Sequence, residues 1–202
     1  MDKEVLTLKS KAALDCVICD RCCKYRGDIR LTPINVLEIS KYLKISIREF
    51  IDKYTMELEG EAPEIVIKTV GEDRVCVFNN SNNYKCNVHK FRPIQCVMFP
   101  LFPIDVKNDL FINMGTCIKQ TNKKTTVNKW LNKDKIYKRN KDIYLKWIKL
   151  VEELQFKWNN ISNEDKIRIR EILFLEYDLK KNFRKQVSLN IDKIVKEYIE
   201  GV

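Results

Sequence analysis

The spacing of hydrophobic positions changes along the chain and predicts a mixed first part followed by a helical second part. From about Thr125 onward, apolar residues recur every three or four positions, which is the period of an amphipathic helix. Earlier, two β-branched runs at 65–70 and 75–78 flank a polar turn, and this pattern predicts a hairpin. A second small hairpin is predicted from the apolar runs at 101–104 and 110–114.

Three helix starts are marked by residues that cap a first turn. Thr32 precedes Pro33, and a proline is tolerated at the first helical position because the N–H that it lacks would have no partner there. Ser46 is followed three residues later by Glu49, which is the pattern of a capping box. Ser162 marks a further start. We therefore expect two short helices soon after Thr32 and longer ones in the second part.

The fold class predicted by these patterns is α+β. A small, irregular, cysteine-rich α+β core with short hairpins is expected over residues 1–120, followed by an all-helical region over residues 121–202. The last cysteine is Cys117, so the same division separates the cysteines from the rest of the chain. A chain of 202 residues suits one domain or two, and both arrangements remain open.

Neither an export signal nor a membrane span is predicted. Charged residues interrupt the first ten positions, which lack the apolar run of about 7 to 15 residues that a secretory signal requires. The most apolar stretch, 96–104, is about half as long as a membrane-spanning helix and contains Pro100 and Pro103. We expect a cytoplasmic protein, in which thiols stay reduced.

Cysteine is the residue type that carries the candidate chemistry. The chain has eight cysteines and one histidine, and four of the cysteines form a C-x2-C-x2-C-C run near its start. In a reducing compartment this pattern indicates metal ligation rather than disulfides, and a chain of this length can bury a core without covalent cross-links. We predict that the metal ligands are Cys16, Cys19, Cys22, Cys23, Cys76, Cys86, Cys96 and Cys117.

The arrangement of the thiols favours an iron–sulfur cluster over a single zinc ion. Thiolate is a soft ligand for both, whereas calcium and magnesium prefer oxygen. A structural zinc site usually shows two C-x2-C pairs, and no second pair follows the first run. The spacing of Cys16, Cys19 and Cys22 resembles the start of the bacterial ferredoxin run, so we expect a four-iron four-sulfur cluster, with zinc or iron ions as the alternative. Which cysteines share a metal stays open: Cys22 and Cys23 can serve different metals, or one of them is a spare or redox-active thiol.

Several other residues lie beside the isolated cysteines. His89, the third residue after Cys86, is a ligand, a proton carrier or a hydrogen-bonded loop residue. Arg92 can offset the charge of a metal–thiolate centre or form a structural salt bridge. The apolar residues expected in the core here are Met98, Phe99 and Phe102.

The net charge is +10, and most of the excess lies in the second part of the chain. Residues 1–120 contain 18 Lys and Arg against 16 Asp and Glu, whereas residues 121–202 contain 20 against 12. The basic residues alternate with apolar helix positions, which favours solvated helix faces over a nucleic-acid site. A protein partner bound to the basic C-terminal helices remains as a hypothesis.

The cysteine run and a second motif together carry a family resemblance. The chain reads Cys16-x2-Cys19-x2-Cys22-Cys23, then Ile29-x-Leu31-Thr32, then Cys86-x-Val88-His89-x2-Arg92-Pro93-x2-Cys96-x2-Phe99-Pro100, with Cys76 before the last motif and Cys117 after it. This combination resembles the YkgJ-type cysteine-cluster family of zinc- or iron-chelating domains. The resemblance covers about residues 16–117, and His89 departs from it, since many relatives are expected to have tyrosine there.

The resemblance implies metal binding with a redox, sensing or metal-handling role. It extends to flagellin lysine-N-methylases, which implies an alternative function, the transfer of a methyl group from S-adenosylmethionine to a protein lysine. The chain gives that alternative little support, because it has five glycines and no Gly-x-Gly-x-x-Gly loop for a nucleoside cofactor. Whether the protein is an enzyme stays open.

Overall fold

A computed structural model of the chain describes residues 4–14, 23–24, 29–58, 62–80, 85–114 and 124–201. The chain divides into two compact units, each built from two separate segments. Unit 1 comprises Met1–Gly27 and Thr69–Lys141, and unit 2 comprises Asp28–Lys68 and Asp142–Val202. The predicted boundary between residues 120 and 121 lies outside the described residues and stays a prediction.

Short strands and longer helices make up the described part of the chain. The strands are β1 (Val5–Leu6), β2 (Lys11–Ala13), β3 (Arg30–Leu31), β4 (Thr55–Glu57), β5 (Ile65–Ile67), β6 (Thr69–Val70), β7 (Val75–Cys76), β8 (Leu101–Asp105), β9 (Leu110–Asn113) and β10 (Lys124–Thr126). The α-helices are α1 (Pro33–Leu43), α2 (Ile47–Tyr54), α3 (Ile94–Met98), α4 (Val127–Leu131), α5 (Ile136–Lys157), α6 (Asn163–Phe174) and α7 (Phe183–Ile194). Shorter 3-10 turns lie at His89–Phe91 and Trp158–Asn160, and a π-helical turn at Val195–Glu200 ends the described chain.

Unit 1 is built on small antiparallel sheets. Its strand orders are β1-β9-β8, β10-β2 and β6-β7. The β8–β9 pair confirms the predicted second hairpin, with Leu101 opposite Asn113 and Phe102 opposite Ile112. The core prediction for Phe102 is wrong: its side chain is 54% exposed, because β8 is an edge strand and Phe102 lies on the face opposite to the buried Leu101.

Unit 2 contains the sheet β3-β5-β4, which corrects the first predicted hairpin. The apolar run at 65–70 does not continue as one strand. Its first half, β5, is buried throughout and pairs antiparallel with β3 and β4. Its second half, β6, pairs with β7 in unit 1, and each of these two strands is two residues long. A strand buried on both faces is favoured by an uninterrupted Ile-Val-Ile sequence, since no polar residue needs to face water.

The predicted helix starts are confirmed. Thr32 caps α1 in a capping box with Asn35. The Asn35 Oδ1 accepts from the Thr32 N–H at 3.1 Å. The Ser46 hydroxyl accepts from the Glu49 N–H at 3.1 Å at the start of α2. The Ser162 hydroxyl accepts from the Asp165 N–H at 3.1 Å at the start of α6. These caps satisfy N–H groups that the first turn leaves without a helical partner.

Over the described residues 124–201 the second part of the chain is helical, as predicted, except that Lys124–Thr126 form strand β10. Helix α5 begins in unit 1 and continues into unit 2, because the unit boundary falls at Lys141 and Asp142. The recurring apolar positions of the helices are buried, including Trp147, Leu150 and Leu154. The mixed helices and small antiparallel sheets confirm the α+β class. Within the described ranges, no helix combines the length and hydrophobicity needed to cross a lipid bilayer.

Candidate metal centre

Four of the eight predicted ligands lie within the described part of the chain. Cys23, Cys76, Cys86 and Cys96 are described, all belong to unit 1, and each is partly buried. No disulfide joins any two of these four described cysteines. The other predicted ligands, Cys16, Cys19, Cys22 and Cys117, lie outside the described residues, although their sequence positions fall within the ranges of unit 1.

Backbone hydrogen bonds hold Cys76 and Cys86 on adjoining segments of unit 1. Cys76 ends β7 opposite Thr69, and its carbonyl accepts from the Asn79 N–H at 2.8 Å. Asn79 forms an isolated antiparallel bridge with Cys86, and the Phe78 carbonyl accepts from the next N–H after Cys86 at 2.8 Å. These contacts hold two residues ten positions apart in the chain on adjoining backbone segments, and they use main-chain atoms rather than the thiols.

A tight turn leads from Cys86 to Cys96. The His89 N–H donates to the Cys86 carbonyl at 3.2 Å and opens the 3-10 turn His89–Phe91. Pro93 then caps α3, and the Cys96 N–H donates to the Pro93 carbonyl at 2.9 Å. Proline suits this position, because it lacks an N–H that the first turn of a helix would leave without a partner.

Buried apolar residues stand beside each isolated cysteine. Phe78 and Val88, which follow Cys76 and Cys86 by two residues, are 3% and 1% exposed. Next to Cys96, Val97 and Met98 are 2% and 1% exposed, which confirms the core prediction for Met98. The apolar neighbours anchor these segments in the core of unit 1, and the cysteines beside them are not fully buried.

The hydrogen bonding of His89 identifies its tautomer. The Arg92 Nη1 lies 3.2 Å from Nδ1 of His89 and donates to the His89 carbonyl at 2.9 Å. A guanidinium can only donate, so Nδ1 is the acceptor and the proton of the neutral ring is on Nε2. Partial burial, and then the positive charge of Arg92, lower the pKa of His89, which favours the neutral form of the ring. With one nitrogen protonated and the other bonded to Arg92, His89 has no lone pair for a metal in this arrangement.

Arg92 forms the structural salt bridge that was one of its two predicted roles. Its Nη2 lies 2.6 Å from Oδ2 of Asp134, in the turn between α4 and α5. In addition, the Trp130 indole N–H donates to the Met98 carbonyl at 3.4 Å. Sequence reasoning did not single out Asp134 or Trp130. A signal for Asp134 was present, since it is the one acidic residue in the basic stretch 124–141.

The donor set fits a thiophilic metal, and it is incomplete within the described ranges. The described residues contain no group of three or more His, Cys, Asp or Glu that could hold a metal ion. A complete centre therefore needs thiols from outside the described ranges. The donors that are present are thiols on a rigid backbone, which suit zinc, iron or an iron–sulfur cluster and do not suit oxygen-seeking calcium or magnesium.

Comparison with known proteins places the cysteine motifs in a family. The sequence model described as "CxxCxxCC: Putative zinc- or iron-chelating domain" matches residues 15–160. A curated relative is "Uncharacterized protein MJ0661" of Methanocaldococcus jannaschii, which is 30% identical over 96 residues, or 48% of this chain and 48% of the relative. The chain thus aligns with about half the length of the curated relative it matches. No solved structure matches the chain.

Proposed function

Because the chain belongs to the CxxCxxCC family of zinc- or iron-chelating domains, we propose that it holds a four-iron four-sulfur cluster through its cysteines and serves a redox, sensing or metal-handling role in the cytoplasm. Zinc or iron ions are the alternative occupants. The proposed ligand set is the eight cysteines predicted from the sequence. When bound, such a cluster would supply one-electron chemistry.

The observation that carries the proposal is the placement of Cys76, Cys86 and Cys96. Their backbones are fixed by the β6–β7 hairpin, the Asn79 bridge and helix α3, all in unit 1, and none of the three residues is fully buried. Buried structural cysteines behave as small apolar residues, whereas ligands need thiols directed away from the packed core. Cysteines that are not fully buried, on firmly held backbones, therefore favour ligation over packing.

Two features favour a cluster over zinc. The isolated cysteines provide no second C-x2-C pair of the kind found in structural zinc sites, and eight thiols exceed the four that one zinc ion takes. The charge around the site is also suitable. Lys133 is close enough to His89, three residues after Cys86, for its charge to lower the pKa of that ring. Positive side chains offset the negative charge of a thiolate-bound cluster.

The test is elemental analysis of protein purified without oxygen, together with its visible absorption spectrum. The proposal predicts a brown protein with iron and acid-labile sulfide in equal amounts, and bleaching of the colour by a chemical reductant. Colourless protein with stoichiometric zinc would show that zinc, and not a cluster, occupies the site. Protein that contains neither metal after anaerobic purification and reconstitution would contradict both.

A further inference from the structure

A group of lysines at the corner between α4 and α5 forms an exposed positive surface in unit 1. We call Lys129, Lys133, Lys135 and Lys138 the basic corner. All four side chains are exposed, and none has a carboxylate partner among the described residues. An exposed lysine without a partner is common, but four of them within ten positions create a local positive field.

In the part of the chain that the structure describes, no acidic side chain pairs with the lysines of the basic corner. The stretch 124–141 contains seven Lys and Arg against one acidic residue, Asp134. The Asp134 carboxylate is already paired with Arg92, and its side chain is 29% exposed. Lys141, by contrast, pairs at 2.6 Å with Asp109. Asp134 and Asp109 are therefore already paired with Arg92 and Lys141 within unit 1, and the lysines of the basic corner face solvent.

The basic corner is held against the segment that carries the candidate metal ligands. The Arg92–Asp134 salt bridge joins the turn between α4 and α5 to the segment between Cys86 and Cys96. The Trp130 indole N–H also donates to the carbonyl of Met98, two residues after Cys96. Lys133 is near enough to His89 to influence its ring. A partner that contacts the basic corner thus comes close to the metal centre.

We propose that the basic corner is the docking surface for a protein partner with an acidic face, and that docking brings this partner beside the metal centre. The location beside a metal centre rests on the proposed function, whereas the binding surface itself does not. Charge complementarity supplies the attraction, because exposed charges mainly steer encounter and set orientation in short-lived complexes.

The composition of the basic corner favours a protein over a nucleic acid. Its four charges are lysines, whereas recognition of phosphates and bases relies heavily on the planar fork of arginine. Single strands also need aromatic side chains on which bases stack. The aromatic residue of the corner, Trp130, is half-buried with its N–H bonded to Met98, and Tyr137 is 3% exposed.

The test measures binding of a fluorescent poly-L-glutamate peptide to the metal-loaded protein, with a single-stranded oligonucleotide of equal charge as the second probe. The test variant is Lys129→Glu, Lys133→Glu and Lys138→Glu combined. Its matched control is Lys180→Glu, Lys185→Glu and Lys196→Glu, which makes the same change in charge at exposed lysines of unit 2. Lys135 is left unchanged because its φ of 63° makes that position sensitive to substitution.

The expected result is a loss of peptide affinity of about tenfold or more in the test variant and about threefold or less in the control, with binding that weakens as salt rises. Equal losses in the two variants would overturn the proposal, since they would show attraction by net charge alone. Tighter binding of the oligonucleotide that is lost in the test variant would also overturn it, in favour of a nucleic-acid surface. Iron and zinc contents are measured in every sample, so a failure of the proposed metal centre is recognised separately from a failure of the docking surface.

Discussion

Arg92 and Asp134 form a salt bridge with a separation of 2.6 Å between Nη2 and Oδ2, and their side chains are only 15% and 29% exposed. The same guanidinium donates to the His89 carbonyl at 2.9 Å. One side chain therefore connects the turn between α4 and α5 to the segment that runs from Cys86 to Cys96. Partly buried pairs of this kind contribute more than surface pairs, because removal of one partner leaves the other desolvated and unpaired.

Arg92→Ala is expected to lower the free energy of unfolding by about 1–3 kcal/mol. The substitution removes the ion pair and the hydrogen bond to His89, and it leaves Asp134 without its partner. Urea unfolding of the metal-loaded protein measures the change. Arg48→Ala, at an exposed position of α2, is the matched control and should change stability by no more than about 0.5 kcal/mol.

The pairwise contribution can be isolated with Asp134→Ala and the double variant. A coupling energy of about 1 kcal/mol or more is expected between Arg92 and Asp134, because they are in direct contact. Additive effects of the two substitutions would show that the salt bridge does not stabilise unit 1.

Cys86→Ser is expected to reduce metal content without unfolding the apoprotein. Main-chain hydrogen bonds, which do not need sulfur, hold the backbone on both sides of residue 86. Loss of a ligand should instead remove the stability that metal binding adds, so the melting temperature of the metal-loaded sample should fall toward that of the wild-type apoprotein. Asn87→Ser, at the exposed neighbouring position, is the control and should keep both properties. Wild-type metal content in Cys86→Ser would remove Cys86 from the ligand set.

His89→Gln is expected to keep the wild-type metal content. The reason is the tautomer assigned above, in which Nδ1 accepts from Arg92 and Nε2 carries the proton. The measurement is the metal content of His89→Gln, compared with that of Cys96→Ser from the same motif. A loss of metal in His89→Gln as large as that in Cys96→Ser would identify His89 as a ligand and contradict the assigned hydrogen bond.

Thr32→Ala is expected to destabilise the protein by about 1–2 kcal/mol, because it removes the N-cap of α1. The Thr32 hydroxyl is buried and lies 2.9 Å from Oδ1 of Asn35 and 3.4 Å from the Asn35 N–H. Thr32→Ser, which keeps the hydroxyl, is the control and should retain most of the stability in urea unfolding. Equal destabilisation by both variants would assign the effect to packing of the threonine methyl group.

The features that the sequence predicts correctly are local ones. Thr32, Ser46 and Ser162 start helices because each cap acts on N–H groups two or three residues away. The apolar run at 65–70 was misread because its first half pairs with β3 and β4, and such pairing depends on distant segments. Strands of two or three residues, such as β1 and β2, are too short to show a period.

The candidate site likewise has features that the sequence predicts and features that depend on the packing of distant segments. The types and spacing of the cysteines predict metal ligation from the sequence, because ligand chemistry belongs to the residue itself. The partner of Arg92 could not be predicted, since Asp134 approaches it only when separate segments of unit 1 pack together. The exposure of Phe102 was missed because an apolar residue on an edge strand has the same sequence pattern as one in the core.

The most direct test of the central claim is X-ray absorption spectroscopy at the metal edge of protein purified without oxygen, which counts the atoms bound to the metal. The account predicts a first shell of sulfur at about 2.3 Å, with an additional iron–iron shell if a cluster is present. A first shell of nitrogen or oxygen at about 2.0–2.1 Å, without sulfur, would contradict ligation by the cysteines.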